Sequence, residues 1–419
     1  MAKAKPPVEK PYLFVDLSNL VYKNSASLHF LRTPDGLATG GVFGTIRNLL
    51  SWSQKFKVWV FVDGYGSQRR DLIKGYKTGR KDSLLPSAAP KDPSELRGAR
   101  VDTEVVDEVA HWVESQEQFS ALEAQVVQEF NPVHESLKQT VYGHIAVLTA
   151  CLPNFGFPVV FHSEFEADDL IGATVFLRER AVQAHFTLPE VYIYSTDKDF
   201  DQLPAHRLSP MKQHGKYATG KSPIKELYLL GASTLTCFPE IPEDSIIRKY
   251  PFILSIYRSI IGDVSDKIKG VMTPHKAWKR KEGEAYPAEI LIGAILQALG
   301  NPLDFITYAW NLDVAFKDVE AFRAKLPHIP PELITNLQVT KLPIDLIRAA
   351  AEPQVKAITA TGIVEAPLAN FWLSGQLVDF SGWAVNLPEV DQICRLYQMP
   401  SIYEKLKETT ILTEHCKLV

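Results

Sequence analysis

Four short apolar runs, each closed by an acid, constrain what this chain can fold into more than any other feature. "PYLFVDLSN" reads as a buried strand ending at Asp16, and "FKVWVFVDGYG" as a second ending at Asp63. "FGFPVVFHSEFEADD" is a third, followed by Glu166, Asp168 and Asp169. "EVYIYSTDKDFDQL" is the fourth, ending at Asp197 and Asp199. Helical periodicity fills the intervals: Val42, Ile46, Leu49 and Leu50 share one side of residues 40–56, and Leu170, Ala173, Leu177 and Ala181 one side of 168–182. Continuous apolar strands alternating with helices predict an α/β fold, a mainly parallel sheet flanked by helices on both faces. Such sheets bind ligands beyond the carboxyl ends of their strands, and each of the four strands delivers an acid to that edge.

A single acidic helix start has an ordinary explanation, because carboxylates favour the first turn. Four acidic strand ends in a row point to a shared site. Carboxylates with no histidine or cysteine partners nearby are hard oxygen ligands, suited to Mg²⁺ or Mn²⁺ rather than zinc. Without cations, so many like charges would raise one another's pKa values or unfold the site. Two divalent ions held together can activate water and stabilise both the attacking and the leaving oxygens of a phosphodiester displacement.

Composition narrows the partners. The net charge of −4 means that a bound polyanion must be held by local basic patches. There are two such runs. "RRDLIKGYKTGRK" holds Arg69, Arg70, Lys77 and Arg80 around Tyr76, whose ring offers a base a stacking surface. The other follows Asp263 and Asp266 in "SIIGDVSDKIKGV" and continues through Lys267, Lys269 and Lys276 to Lys281. No apolar run approaches the ~18 residues of a membrane span, so no membrane partner is expected. Four widely spaced cysteines without a CxxC read as the reduced thiols of an intracellular protein.

Taken in order, these segments resemble the 5′-nuclease superfamily of flap endonucleases, the 5′-nuclease domain of bacterial DNA polymerase I, and bacteriophage 5′→3′ exonucleases. The segments are "FVDLSNLVYK", "VFVDGYGSQRRDLIKGYKTGR", "FEADDLIG", "YSTDKDFDQL" and "IIGDVSDKIKGV", within residues 11–272. The pattern is most similar to the bacteriophage and polymerase I members. The resemblance implies a PIN-like 5′-nuclease fold with metal ligands at Asp16, Asp63, Glu166, Asp168, Asp169, Asp197, Asp199 and Asp263, and Asp266 behind them. It implies that Lys77 and Arg80 act on the scissile phosphate. Asn19, Lys23, Arg69, Arg70, Tyr76, Lys267, Lys269 and Lys276 would contact substrate. The implied activity is a Mg²⁺-dependent 5′→3′ exonuclease or flap endonuclease, using two ions for which Mn²⁺ can substitute. Its substrates would be DNA with 5′ ends or flaps and RNA–DNA hybrids, with replication proteins as further partners, in the cytoplasm of a bacterial or phage-infected cell.

The implied organisation is a nuclease core over 11–250, a helical arch-like insertion over 82–150, and a helix–three-turn–helix duplex-binding element over 251–290. A C-terminal helical elaboration over 291–419 would complete it. Departures from the family pattern are specific. "GVMTPHKAWKRKEG" replaces a glycine-rich hairpin, putting a K⁺ site in doubt, and Lys267 replaces an asparagine. Residues 101–137 carry nine acids and no Lys or Arg, so the insertion is either a gate that repels strands or a solvated hairpin packed on itself. Two other functional readings share much of this evidence: a PIN-type single-strand ribonuclease, and a non-catalytic homologue that binds DNA junctions.

Overall fold

The computed structural model describes residues 10–34, 36–64, 137–210, 227–230, 238–263, 268–340, 354–359, 362–367 and 385–407, with isolated positions between them. Arg69, Arg70, Tyr76, Lys77, Arg80, Asp266 and Lys267 lie outside the described residues, as does the insertion up to residue 136.

The first strand, β1 (Tyr12–Asp16), runs straight into α1 (Leu17–Ser27). Then come α2 (Gly40–Ser53), β2 (Lys57–Phe61), α3 (Leu137–Cys151), β3 (Val159–Phe161), α4 (Ala167–Gln183) and β4 (Val191–Tyr194). A 3-10 turn at Lys198–Gln202 leads to β5 (His206–Ser209) and β6 (Tyr228–Leu230). The sheet order is β10-β9-β3-β2-β1-β4-β5-β6. Its five middle strands, β3 to β5, are all parallel. The expected mainly parallel sheet is therefore present.

Alternation along β1 explains why the sheet is covered twice. Tyr12 and Phe14 face one core with Trp59, Phe61, Val160 and the apolar side of α4. Leu13 and Val15 face the other with Val58, Val60, Val159, α1, α2 and α3. Leu13, Phe14 and Val15 are wholly buried, each burial worth about 1.5–3 kcal/mol.

Helix α3 falls inside the interval 82–150 but packs as core: Leu137, Val141, Leu148 and Cys151 are buried beside α1 and α2. It is pinned by a buried histidine. His144 Nε2 lies 2.8 Å from the Ala38 carbonyl, so that nitrogen carries the proton, and Nδ1 accepts from Ser25 Oγ at 3.0 Å.

The second half begins with α5 (Ile246–Lys249), α6 (Leu254–Ile261), the short hairpin β7 (Gly262–Asp263) and β8 (Ile268–Lys269), and α7 (Pro274–Ala277). Then follow α8 (Pro287–Ala298), α9 (Phe305–Lys317), α10 (Val319–Ala324) and α11 (Pro331–Val339). Next the chain differs from the helical elaboration expected of 291–419. Residues 354–367 form a hairpin, β9 (Gln354–Thr359) and β10 (Gly362–Pro367), and β9 adds antiparallel to β3. The reason is burial on alternate residues: Val355 and Ala357 enter one core and Ile358 the other. Helix α12 (Leu387–Leu396) then packs into the core of Leu13 and Val15 through Val390 and Cys394, and the Asn386 N–H donates to Asn154 O.

Candidate metal centre

Strand β1 sits between β2 and β4, so the chain leaves it in opposite directions along the sheet. The carboxyl ends at such a switch point open a crevice, and Asp16 stands there. It ends β1 and caps α1, its Oδ1 accepting from the Asn19 N–H at 3.1 Å. Ser195 Oγ approaches its Oδ2 at 3.4 Å. Burial, then Asp63, and after it Asp168 and Asp197, push the Asp16 pKa up to about 8, against the pull of the Asn19 N–H. A cation among these acids would reverse that shift.

Asp63 follows β2 and ties two helix starts together. Its Oδ1 accepts from the Ala167 N–H at 2.9 Å and its Oδ2 from Ser18 Oγ at 2.7 Å. The turn behind it must be glycine, because a Cβ on Gly64 would collide with the carbonyls of His162 and Phe165. At the start of α4, Glu166 is the cap residue and forms a reciprocal capping box with Asp169. The ordinary role of acids at a helix start is thus present. It does not account for the whole arrangement, since Glu166, Asp168 and Asp169 are all buried with ligand oxygens within 4.8 Å of one another. Three buried carboxylates that close need a cation or shared protons.

After β4, Ser195 Oγ accepts from the Asp197 N–H at 3.0 Å and Asp197 Oδ1 from the Asp199 N–H at 2.9 Å. The Asn19 side chain bridges to this loop. Its Nδ2 donates to Thr196 Oγ1 at 2.6 Å and its Oδ1 accepts from the Thr196 N–H at 3.2 Å. Asn19, expected to contact substrate, here holds the β1 and β4 ends together.

The sequence has counterparts among known proteins. The model of the 5′-3′ exonuclease N-terminal resolvase-like domain matches residues 11–228, a little over half of the chain. The chain belongs to this 5′-nuclease family. No curated protein matches it. Among solved structures, a bacteriophage T5 protein co-crystallised with metal ions is 17% identical, covering 86% of this chain and 95% of its own, with a TM-score of 0.41. A T5 flap endonuclease variant in a complex with DNA and metal ions is also 17% identical, covering 81% and 92%, with a TM-score of 0.36. The catalytic core of Rad2 with a DNA substrate is 10% identical, covering 95% and 93%, with a TM-score of 0.35.

In this 5′ nuclease the remaining two acids share one guanidinium. Asp199, in the 3-10 turn, and Asp263, in β7, are both buried, and the guanidinium of Arg258 on α6 lies between them. Arg258 is missing from the motif reading, although the sequence carries a signal. It is the only charge in "LSIYRSII", and a charge on an apolar helix must find counter-charges inside. A second buried ion pair lies beside the site. Arg207 of β5 is bidentate to Asp201, at 2.7 and 3.1 Å, and its Nη1 reaches Ser195 O at 3.5 Å, propping the loop that carries Asp197.

The turn that carries Asp263 depends on Gly262, whose φ of 75° ends α6 and whose Cβ position is filled by Gly270. Pro274, an intruder in the family hairpin, occupies the first turn of α7 behind the Thr273 cap, where its missing N–H costs nothing. Lys269 and Lys276 are exposed near this turn, while Lys23 is half-buried on α1. Among the described residues, no helix is long and apolar enough to cross a membrane.

Proposed function

We propose that this chain is a structure-specific 5′ nuclease. It hydrolyses phosphodiester bonds at 5′ ends or 5′ flaps of DNA, and in RNA primers of RNA–DNA hybrids, during replication or repair. The observation that carries this reading is the convergence of Asp16, Asp63, Glu166, Asp168, Asp169 and Asp197 on the carboxyl edge of one sheet. An all-carboxylate donor set fits Mg²⁺, with Mn²⁺ as a substitute. Two such ions would supply an activated water and neutralise charge on the attacking and leaving oxygens.

The chain's own residues divide the remaining work. The α4 acids, with Asp16 and Asp63, hold one end of the site. Asp197, Asp199 and Asp263 hold the other, with Asp266 behind them. Lys77 and Arg80 orient the scissile phosphate, and Tyr76 stacks on a terminal base. Arg69, Arg70, Lys267, Lys269 and Lys276 grip the backbone without reading sequence.

The deciding assay incubates a 5′-labelled flap, a nicked duplex, an RNA–DNA hybrid and single-stranded RNA with Mg²⁺, and then with EDTA. Cleavage of the flap and hybrid, lost in EDTA and in Asp168→Ala, is the expected result. Preference for single-stranded RNA would make the chain a ribonuclease instead. Flap binding without cleavage in either Mg²⁺ or Mn²⁺ would make it a junction-binding protein.

A further inference from the structure

The carboxyl edge of the sheet carries a polar side chain that the metal centre does not use. Strand β3 ends at Phe161, and His162 follows it. Val160 faces the same core as Phe14 and Phe61, and Phe61 is in register with both Asp16 and Val160. Alternation therefore sets Asp16, Asp63 and His162 on that face, at the ends of three adjacent strands. Backbone pairing continues this far: the Val62 N–H donates to Val160 O at 3.0 Å, and the Gly64 N–H to Phe165 O at 2.8 Å. The His162 carbonyl crowds Gly64, the residue after Asp63.

The half-buried His162 ring is held in a defined state. Its Nδ1 accepts from the Glu164 N–H at 3.1 Å, and the Phe165 ring lies 5.0 Å away, centre to centre. With Nδ1 accepting, the neutral ring carries its proton on Nε2. Burial lowers its pKa from the ordinary histidine value against the pull of Glu164, while Lys356 lowers it further and Glu365 raises it. At neutral pH the ring is thus a donor and not a cation. Asp63, the neighbouring acid, is engaged elsewhere: its Oδ1 accepts from the Ala167 N–H and its Oδ2 from Ser18 Oγ. Among the described residues, no group accepts from Nε2 of His162.

We propose that His162 is a substrate-contacting residue whose Nε2–H donates to a phosphate oxygen of the nucleic-acid strand, beside the bond that is cut. Contacts of this kind fix the register of the strand without reading its bases. The inference rests on the nuclease reading above and adds a residue to its substrate site.

Two variants separate this contact from a structural role. His162→Asn keeps an acceptor in the place of Nδ1 for the Glu164 N–H and loses the outer donor. His162→Gln keeps an amide N–H in the place of Nε2 and loses that acceptor. In steady-state cleavage of a 5′-labelled flap with Mg²⁺, His162→Asn should raise KM about tenfold with kcat little changed, the loss of one hydrogen bond to a charged group. His162→Gln should stay near the wild type. A wild-type KM in His162→Asn, or an effect confined to His162→Gln, overturns the proposal. The same flap is then made with a neutral methylphosphonate at one linkage at a time. One position should raise the wild-type KM and leave that of His162→Asn unchanged, and the absence of such a position also overturns the proposal. If His162→Asn does not fold by circular dichroism, the methylphosphonate series on His162→Ala decides in its place. A wild type that cleaves no flap, nicked duplex or hybrid overturns the nuclease reading itself, so the two failures are distinguishable.

Discussion

Asp16→Asn should make the metal-free protein more stable while removing its response to metal. The unfolded chain gives up the Asp16 proton near 3.8, whereas the folded chain keeps it until about pH 8. Between those values the folded state binds the extra proton, so wild-type stability falls as pH rises through the window and levels off above it. At pH 7 the gap corresponds to about 4 kcal/mol, a ceiling that relaxation of neighbouring acids reduces. Asparagine keeps the helix cap to the Asn19 N–H, and its amide can still pair with Ser195 Oγ, so little else changes. The assay is urea unfolding in EDTA across this pH range, repeated with Mg²⁺. The variant should be about 1–4 kcal/mol more stable at pH 8, with the advantage vanishing near pH 4. Mg²⁺ should stabilise the wild type more than the variant. A variant less stable than wild type at pH 8 in EDTA, or an advantage independent of pH, would refute the argument that burial and the neighbouring acids keep Asp16 protonated.

Other substitutions probe the frame around the acids. Asn336 of α11 donates from Nδ2 to Ser259 O at 3.0 Å and Lys269 O at 2.8 Å, stitching α6 to β8 across the Asp263 turn. Asn336→Ala orphans two carbonyls and should cost about 1–3 kcal/mol by urea unfolding; a loss too small to measure would mean that water replaces the amide. Arg207→Met should cost about 3–5 kcal/mol, because buried Asp201 loses the guanidinium that holds it bidentately, and adding Asp201→Leu should recover part of it. If the double variant is no better than the single, packing rather than charge dominates at that site. Gly262→Ala should lower the melting temperature and weaken Mn²⁺ binding together, since Cβ and Gly270 cannot share the space. Wild-type behaviour in both measurements would show that the turn adapts.

The acid-tipped strands were legible because a parallel strand buried on both faces must be apolar throughout, which makes its carboxyl end stand out as a sudden charge. Asp16, Asp63 and Asp197 follow this rule. The supporting contacts are less visible, for physical reasons that differ. Arg207 lies on a four-residue strand where a charge argues against burial, and it is buried only because Asp201 curls back over six residues to meet it. The resemblance marks Asn19 as a residue that contacts substrate, and only the placement of β4 beside β1 reveals that its amide matches the Thr196 backbone and hydroxyl. The β9–β10 hairpin does carry β-branched residues, at Val355, Ile358, Thr359, Ile363 and Val364, but nothing local in the sequence shows the edge of β3 that β9 joins.

That hairpin and α11 give the second half of the chain a physical role in the first half's chemistry. A cluster of buried carboxylates is destabilising until cations arrive, so the surrounding frame must hold their backbones against repulsion. Part of that frame comes from beyond residue 330. Strand β9 pairs with β3 immediately before the loop that leads to Glu166, with Lys356 opposite Phe161. Asn336 closes the turn that presents Asp263, and the Thr340 hydroxyl lies 2.8 Å from Ser259 Oγ on the helix that carries Arg258. Removing the chain after α10 would strip both ends of the acid row of these supports. The two ends are thus braced from downstream, through separate elements, and loss of either brace should reach metal affinity before it reaches the far side of the sheet.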